Sequence, residues 1–164
     1  MYKKIGSAIG KMNRLEATLG GALVALIGIL ISADIVTRTI RSPMDWLIPV
    51  TTQVFIVVVF LGMGECEANR AHPRVDFLPN KIGGNAGQLL NVFAYVLAVL
   101  LVGIIFWRTS IEAIESTSIG EYILGIGEIP VYPSKIAIAL GFLAYFLQLI
   151  VNSIEEIKKL KDPK

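Results

Sequence analysis

The chain has one cysteine and one histidine in 164 residues, and only 17% of its residues are charged. A lone Cys66 cannot close an internal disulfide, and without a CxxC motif it supports neither a redox centre nor a zinc site. A lone His72 supplies one ligand where a metal site needs several and a bis-histidine haem needs two. No cofactor is expected, and His72 reads as a solvated loop histidine. Soluble domains carry charge on about a quarter of their residues, so this shortage argues against a water-covered globule. Alternating polar and apolar segments of about ten residues are missing as well, which excludes a membrane β-barrel. Basic residues outnumber acids only 15 to 13 and do not gather into a patch. No nucleic-acid partner is expected.

What the chain does have is four runs free of Asp, Glu, Lys and Arg: Ala17–Ala33, Trp46–Gly64, Ile82–Trp107 and Ile136–Ile154. Each is near the roughly 17–25 residues that a helix needs to cross about 30 Å of hydrocarbon. A soluble bundle would carry polar residues at helical spacing through these runs, and they lack them. The reading is an all-α integral membrane protein, a single domain over 1–164 with transmembrane helices at about 17–39, 47–65, 87–108 and 134–154. The first run is too long for a signal-peptide core and no small-residue cleavage site follows, so it reads as a retained helix.

Between the second and third helices lies a charged hub, Gly64–Lys81, interrupted by Pro73 and Pro79. Val75, Phe77, Leu78 and Ile82 suggest a short amphipathic segment resting on the bilayer surface. Lys and Arg near the helix ends set orientation. With both termini cytoplasmic, the inner side holds eleven of them (Lys3, Lys4, Lys11, Arg14, Arg70, Arg74, Lys81, Lys158, Lys159, Lys161 and Lys164) and the outer side four (Arg38, Arg41, Arg108 and Lys135). The basic segment before Glu16 reads as a helical lead-in able to lie on the membrane surface.

Several residues stand out within this frame. Ala17, Gly21, Ala25, Gly28 and Ser32 share one narrow face of helix 1, and small residues in register let helix backbones approach closely in lipid. Asp34 and Arg38 are four residues apart, and a carboxylate near the end of a spanning helix needs such a partner. A structural pair is the favoured reading over a coupling-ion or proton site. Gln53 in helix 2 calls for a hydrogen-bond partner inside the protein or in a neighbouring subunit. Trp46 and Trp107 sit where interfacial anchors belong. Glu112, Glu115, Glu121 and Glu128 fall in and before a Gly-rich loop, and read as a solvated outer surface.

These landmarks resemble the small membrane subunit, DctQ-type, of tripartite ATP-independent periplasmic (TRAP) transporters. Helix 1 ends in ADIVTRTI, similar to the family's Asp-Val…Arg ending, with Asp34 and Arg38 in the matching places. The VFLGMG end of helix 2 resembles that family's Gly-containing end. His72, Val75, Asp76 and Leu78 match a His-x-x-Val-Asp-x-Leu pattern, and the IPVYPSK entry to helix 4 matches a proline-marked start. Where many members carry an acidic residue early in helix 2, this sequence has Thr51, Thr52 and Gln53.

The resemblance implies a non-enzymatic, multi-pass protein of the bacterial inner membrane. It implies a large TRAP membrane subunit as partner, carrying the substrate and sodium sites, and a periplasmic substrate-binding protein that delivers an organic acid. The small subunit would then act as scaffold, with membrane lipids around it. Four helices with no internal repeat agree with a stator better than with a transporter acting alone. A stand-alone membrane assembly or chaperone protein shares every compositional feature and is the alternative. A membrane enzyme or redox carrier has one His, one Cys and no clustered intramembrane acids to work with.

Overall fold

The structure, a computed structural model, describes residues 2–40, 44–71, 83–123 and 128–161. The expected amphipathic segment, with His72 and Asp76, lies outside the described residues. The elements are α1 (Tyr2–Thr39), α2 (Leu47–Leu61), α3 (Met63–Ala68), α4 (Gly84–Ile119), β1 (Tyr122–Ile123), β2 (Ile129–Pro130) and α5 (Tyr132–Lys161). Four stretches are long and apolar enough to span a membrane: Ala8–Thr39, Leu47–Ala68, Ala86–Ile119 and Tyr132–Lys158. Each is longer than the charge-free run inside it.

The longest helices are α1 and α4. The 38 residues of α1 extend about 57 Å at 1.5 Å per residue. The basic lead-in is therefore not a separate surface piece but the first turns of the spanning helix. Its two weak helix formers, Gly6 and Gly10, cost about 1 kcal/mol each at most. The 36 residues of α4 extend about 54 Å and stop at Gly120. That residue has φ 62° and ψ 44°, a left-handed conformation that glycine adopts without penalty. The amides of Gly120 and Glu121 donate to the carbonyls of Thr117 and Ser116 at 3.4 and 3.0 Å, closing the helix end.

The Gly-rich loop that follows contains a two-strand antiparallel ladder, with Tyr122 opposite Pro130 and Ile123 opposite Ile129. In α2, Pro49 falls in the first turn, where its missing N–H is tolerated. Gly62 separates α2 from α3 only slightly, since its φ and ψ of −78° and −16° stay helical.

In space α1 lies along α2, α2 along α5 and α5 along α4, with α3 wedged between α1 and α5. The last helix is the hub: 44% of its spanning window is buried, against 6–11% in the other three. Its inward face is made of small residues, Ala137, Gly141 and Ala144. A side chain at Gly141 would run into the Phe60 backbone, 2.7 Å from its carbonyl carbon. Helices in lipid gain little from hydrophobic transfer and hold together by such close contact. On the other side of α5, Tyr95, Val102 and Leu149 form a core with Phe142, Tyr145 and Phe146 around it. Phe106 stacks on Phe146 at 6.2 Å, and Phe60 tilts against Phe142 at 5.4 Å.

Candidate functional site

The inward seam of α1 is Asn13, Glu16, Gly20, Leu23, Ile27, Leu30, Asp34 and Thr37, all buried or half-buried at alternating steps of three and four. That is the heptad spacing of a helix packed along its neighbours. Gly21, Ala25, Gly28 and Ser32 fall on the other side and are exposed. A Cβ added at Gly21 or Gly28 would meet nothing within 4 Å. The small-residue stripe therefore faces away from the rest of this chain, and the tight internal packing is made by α5.

At the C-terminal end of α1, Arg38 Nε donates to Asp34 Oδ2 at 2.8 Å, with Asp34 largely covered and Arg38 half-exposed. Lower down, the Ser134 hydroxyl of α5 donates to Gln53 Oε1 and also to the Val131 carbonyl at 2.8 Å, so Gln53 has a partner within this chain. Trp46 and Trp107 are exposed.

The opposite end of the bundle, around Asn13 and α3, holds a constellation that the sequence reading missed. Asn13 Nδ2 donates to Gln148 Oε1 at 2.9 Å and to the Gly64 carbonyl at 3.3 Å. Gln148 Nε2 donates to Asn152 Oδ1 at 3.1 Å. Asn152 Nδ2 then donates to Glu67 twice, at 2.7 Å to Oε1 and 3.2 Å to the backbone carbonyl. Arg70 finishes the chain on Glu156 at 3.1 Å and Glu155 at 3.5 Å. Asn13 is fully buried and Glu67 is 1% exposed. Glu67 belongs to the charged hub between the second and third spanning helices, and packing against α5 buries it. Its carboxyl oxygen accepts from the Asn152 amide, the hydrogen-bond partner that a buried polar group requires.

Arg70 is also the end of α3. Its φ of 52° is left-handed, unusual for a residue with a side chain. The Arg70 amide donates to the Glu67 carbonyl and the Ala71 amide to the Cys66 carbonyl, at 3.0 and 2.9 Å, the paired bonds of a Schellman stop. Glycine is the usual residue there, and the two ion pairs account for arginine. Gln148, Asn152 and Glu156 recur every four residues on α5, which is the sequence signal for this seam.

The four glutamates around the Gly-rich loop do not act as one group. Glu121 binds Lys135 at 2.6 Å, and that ammonium holds its carboxyl below the usual carboxylate range. Glu112, Glu115 and Glu128 are exposed. Among the described residues, no three His, Cys, Asp or Glu side chains converge as a metal site needs. The constellation is a brace and a set of outward faces, with no arrangement for bond chemistry. The family described as "Tripartite ATP-independent periplasmic transporters, DctQ component" matches residues 18–159. Comparison with curated proteins and with solved structures returned no match.

Proposed function

The chain belongs to the DctQ component family of tripartite ATP-independent periplasmic transporters, and on that footing we propose that it is a static scaffold for a large membrane subunit. As a member it is an inner-membrane transporter component and not an enzyme. In the proposed division of labour, a periplasmic binding protein delivers an organic acid. The large subunit moves it with sodium, and this chain gives the moving part something fixed to work against. Both termini lie in the cytoplasm in this reading, in keeping with the eleven-to-four distribution of Lys and Arg.

The observation that carries the proposal is the contrast between the two flanks. The outward side of α1 carries a stripe of Gly21, Ala25 and Gly28, a groove open to close approach between the exposed Val24 and Ile29. The outward side of α4 is bulky, with Leu89, Phe93, Leu97, Leu100, Ile104 and Trp107 exposed. Small faces suit another helix; bulky faces suit lipid. The large subunit accordingly docks on α1, while α4 meets the bilayer and Trp46 and Trp107 anchor the interfaces. The inner polar seam and the Asp34–Arg38 pair keep α1 from shifting under load.

The test is cysteine scanning in a Cys66→Ser background, with a short bifunctional thiol reagent on native membranes. Cross-links from Gly21→Cys, Ala25→Cys and Gly28→Cys to the large subunit, and none from Leu97→Cys or Ile104→Cys, are expected. The reverse pattern would remove the assignment of faces.

A further inference from the structure

The first helix does not stop where its charge-free run begins. From Ala17 back to Tyr2 it continues unbroken, for about 22 Å. This extension is held from one side. Asn13 is fully buried against Gln148 and Gly64. Ile9 and Met12 are half-buried on that side, while Ala8, Lys11, Arg14 and Leu15 are exposed on the other.

Charge is sorted between the two sides. Glu16, the one acid in the first sixteen residues, belongs to the inward seam. At about 100° per residue, the positions of Lys3, Lys4, Lys11 and Arg14 fall within one sector of about 100°, on the side away from that seam. Gly21, Ala25 and Gly28 carry the same side on into the charge-free run. Among the described residues, neither Lys11 nor Arg14 has an ion-pair partner.

Lipid accounts for part of this stripe only. Arg14 and Lys11 lie about 5 and 9 Å along the axis from Ala17, at the depth of a headgroup layer about 5–8 Å thick. Lys3 and Lys4 lie about 20 Å out, and a helix tilt of about 40° still leaves them about 15 Å from the hydrocarbon. That is past the headgroups and past most of a surface field that decays over about 8 Å. A stripe of one sign on an anchored helix that leaves the membrane suits an acidic protein surface.

We infer that the large membrane subunit presents acidic residues to this stripe. One continuous face of α1 then meets it, through small residues within the membrane and through Lys3, Lys4, Lys11 and Arg14 beyond it. The inference rests on the scaffold reading and on the docking face assigned to α1.

The experiment uses the assembled complex in native membranes, with a zero-length carbodiimide that joins a lysine amine to a carboxylate only where the two touch. Amide links from Lys3, Lys4 or Lys11 to Asp or Glu of the large subunit, located by mass spectrometry, are expected. Lys4→Glu with Lys11→Glu should lower recovery of the large subunit about tenfold at low salt, with the amount and unfolding midpoint of this chain unchanged. Lys4→Arg with Lys11→Arg should keep recovery, since the charge remains. Absence of links to the large subunit in the wild type, or unchanged recovery on charge reversal, overturns the inference alone. Loss of the large subunit from the wild-type complex in purely zwitterionic vesicles assigns the stripe to anionic lipid and overturns it as well. A wild-type chain that brings down no large subunit overturns the scaffold reading, and the inference with it.

Discussion

Two glycines predict opposite responses to the same methyl group. At Gly141, an added Cβ overlaps the Phe60 carbonyl and comes within 2.9 Å of the Phe60 Cβ. The obstacle is backbone inside α2, which cannot retreat without lengthening its own hydrogen bonds. At Gly28 an added Cβ meets nothing within 4 Å. Replacing glycine by alanine in a helix gains up to about 1 kcal/mol from backbone propensity, while overpacking a tight contact costs about 1–3 kcal/mol. Gly28→Ala should therefore hold or raise the stability of the isolated chain. Gly141→Ala should lower it by up to about 2 kcal/mol, and Gly141→Leu by more. For a chain of this size 1 kcal/mol corresponds to about 2–4 °C in the unfolding midpoint.

The assay is thermal unfolding of the purified subunit in mild detergent, followed by size-exclusion recovery of a fluorescent fusion. If Gly141→Ala is as stable as Gly28→Ala, the close crossing of α2 and α5 is wrong. Gly28→Leu extends the contrast: harmless to the isolated chain, it should lose the large subunit in a pull-down, because the space it fills belongs to the partner.

Further outcomes follow from the buried polar seam and the turn before α5. Arg70→Ala keeps the left-handed strain and loses both ion pairs, whereas Arg70→Gly loses the pairs but relieves the strain. The glycine variant should be the more stable by about 1 kcal/mol, read in the same unfolding assay. Asn152→Asp sets a second carboxylate against buried Glu67 and should cost about 3 kcal/mol or more, while Glu67→Gln keeps a hydrogen-bonding side chain there and should be milder. Equal midpoints for the two would contradict the seam.

Glu121 has a folded pKa held below its free value by Lys135, so its contribution is present above about pH 4.3 and is lost as pH falls through the lower folded value. Exchange of the Val131 amide should accelerate over that acid range, and Lys135→Met should abolish the pH dependence. Asp34→Asn with Arg38→Gln should weaken the C-terminal end of α1 only slightly, and assembly and uptake both unchanged would remove its structural role.

How much of this was legible depends on what each residue contrasts with. The spans could be read because a charge-free run of this length has no solution except burial or lipid, and the Asp34–Arg38 spacing named its own partner. Sidedness was harder. Helix 1 is apolar on every face, so nothing told the Gly21–Gly28 stripe from the seam through Gly20 and Ile27; only the neighbours that α2 and α5 supply decide which face is inside. The small stripe Ala137–Gly141–Ala144 has the same spacing in the sequence and does the internal packing.

The burial of Glu67 was not legible for a different reason. Its local sequence is that of a loop, and its burial comes from Asn152, 85 positions away. Gln148, Asn152 and Glu156 were visible as a polar row in an apolar helix, and such a row is seldom left without partners. The Schellman stop at Arg70 could not be read from composition, since the usual glycine is missing.

The central claim is that this chain works as one membrane component of a larger transporter. The most direct test is mild-detergent purification of the tagged chain from its native membrane, with mass spectrometry of what accompanies it and uptake measured in a deletion strain. The account predicts a stoichiometric, many-helix membrane protein in the eluate and loss of uptake of one organic acid on deletion. A chain recovered alone, with uptake intact in the deletion strain, would contradict it and favour a stand-alone assembly role.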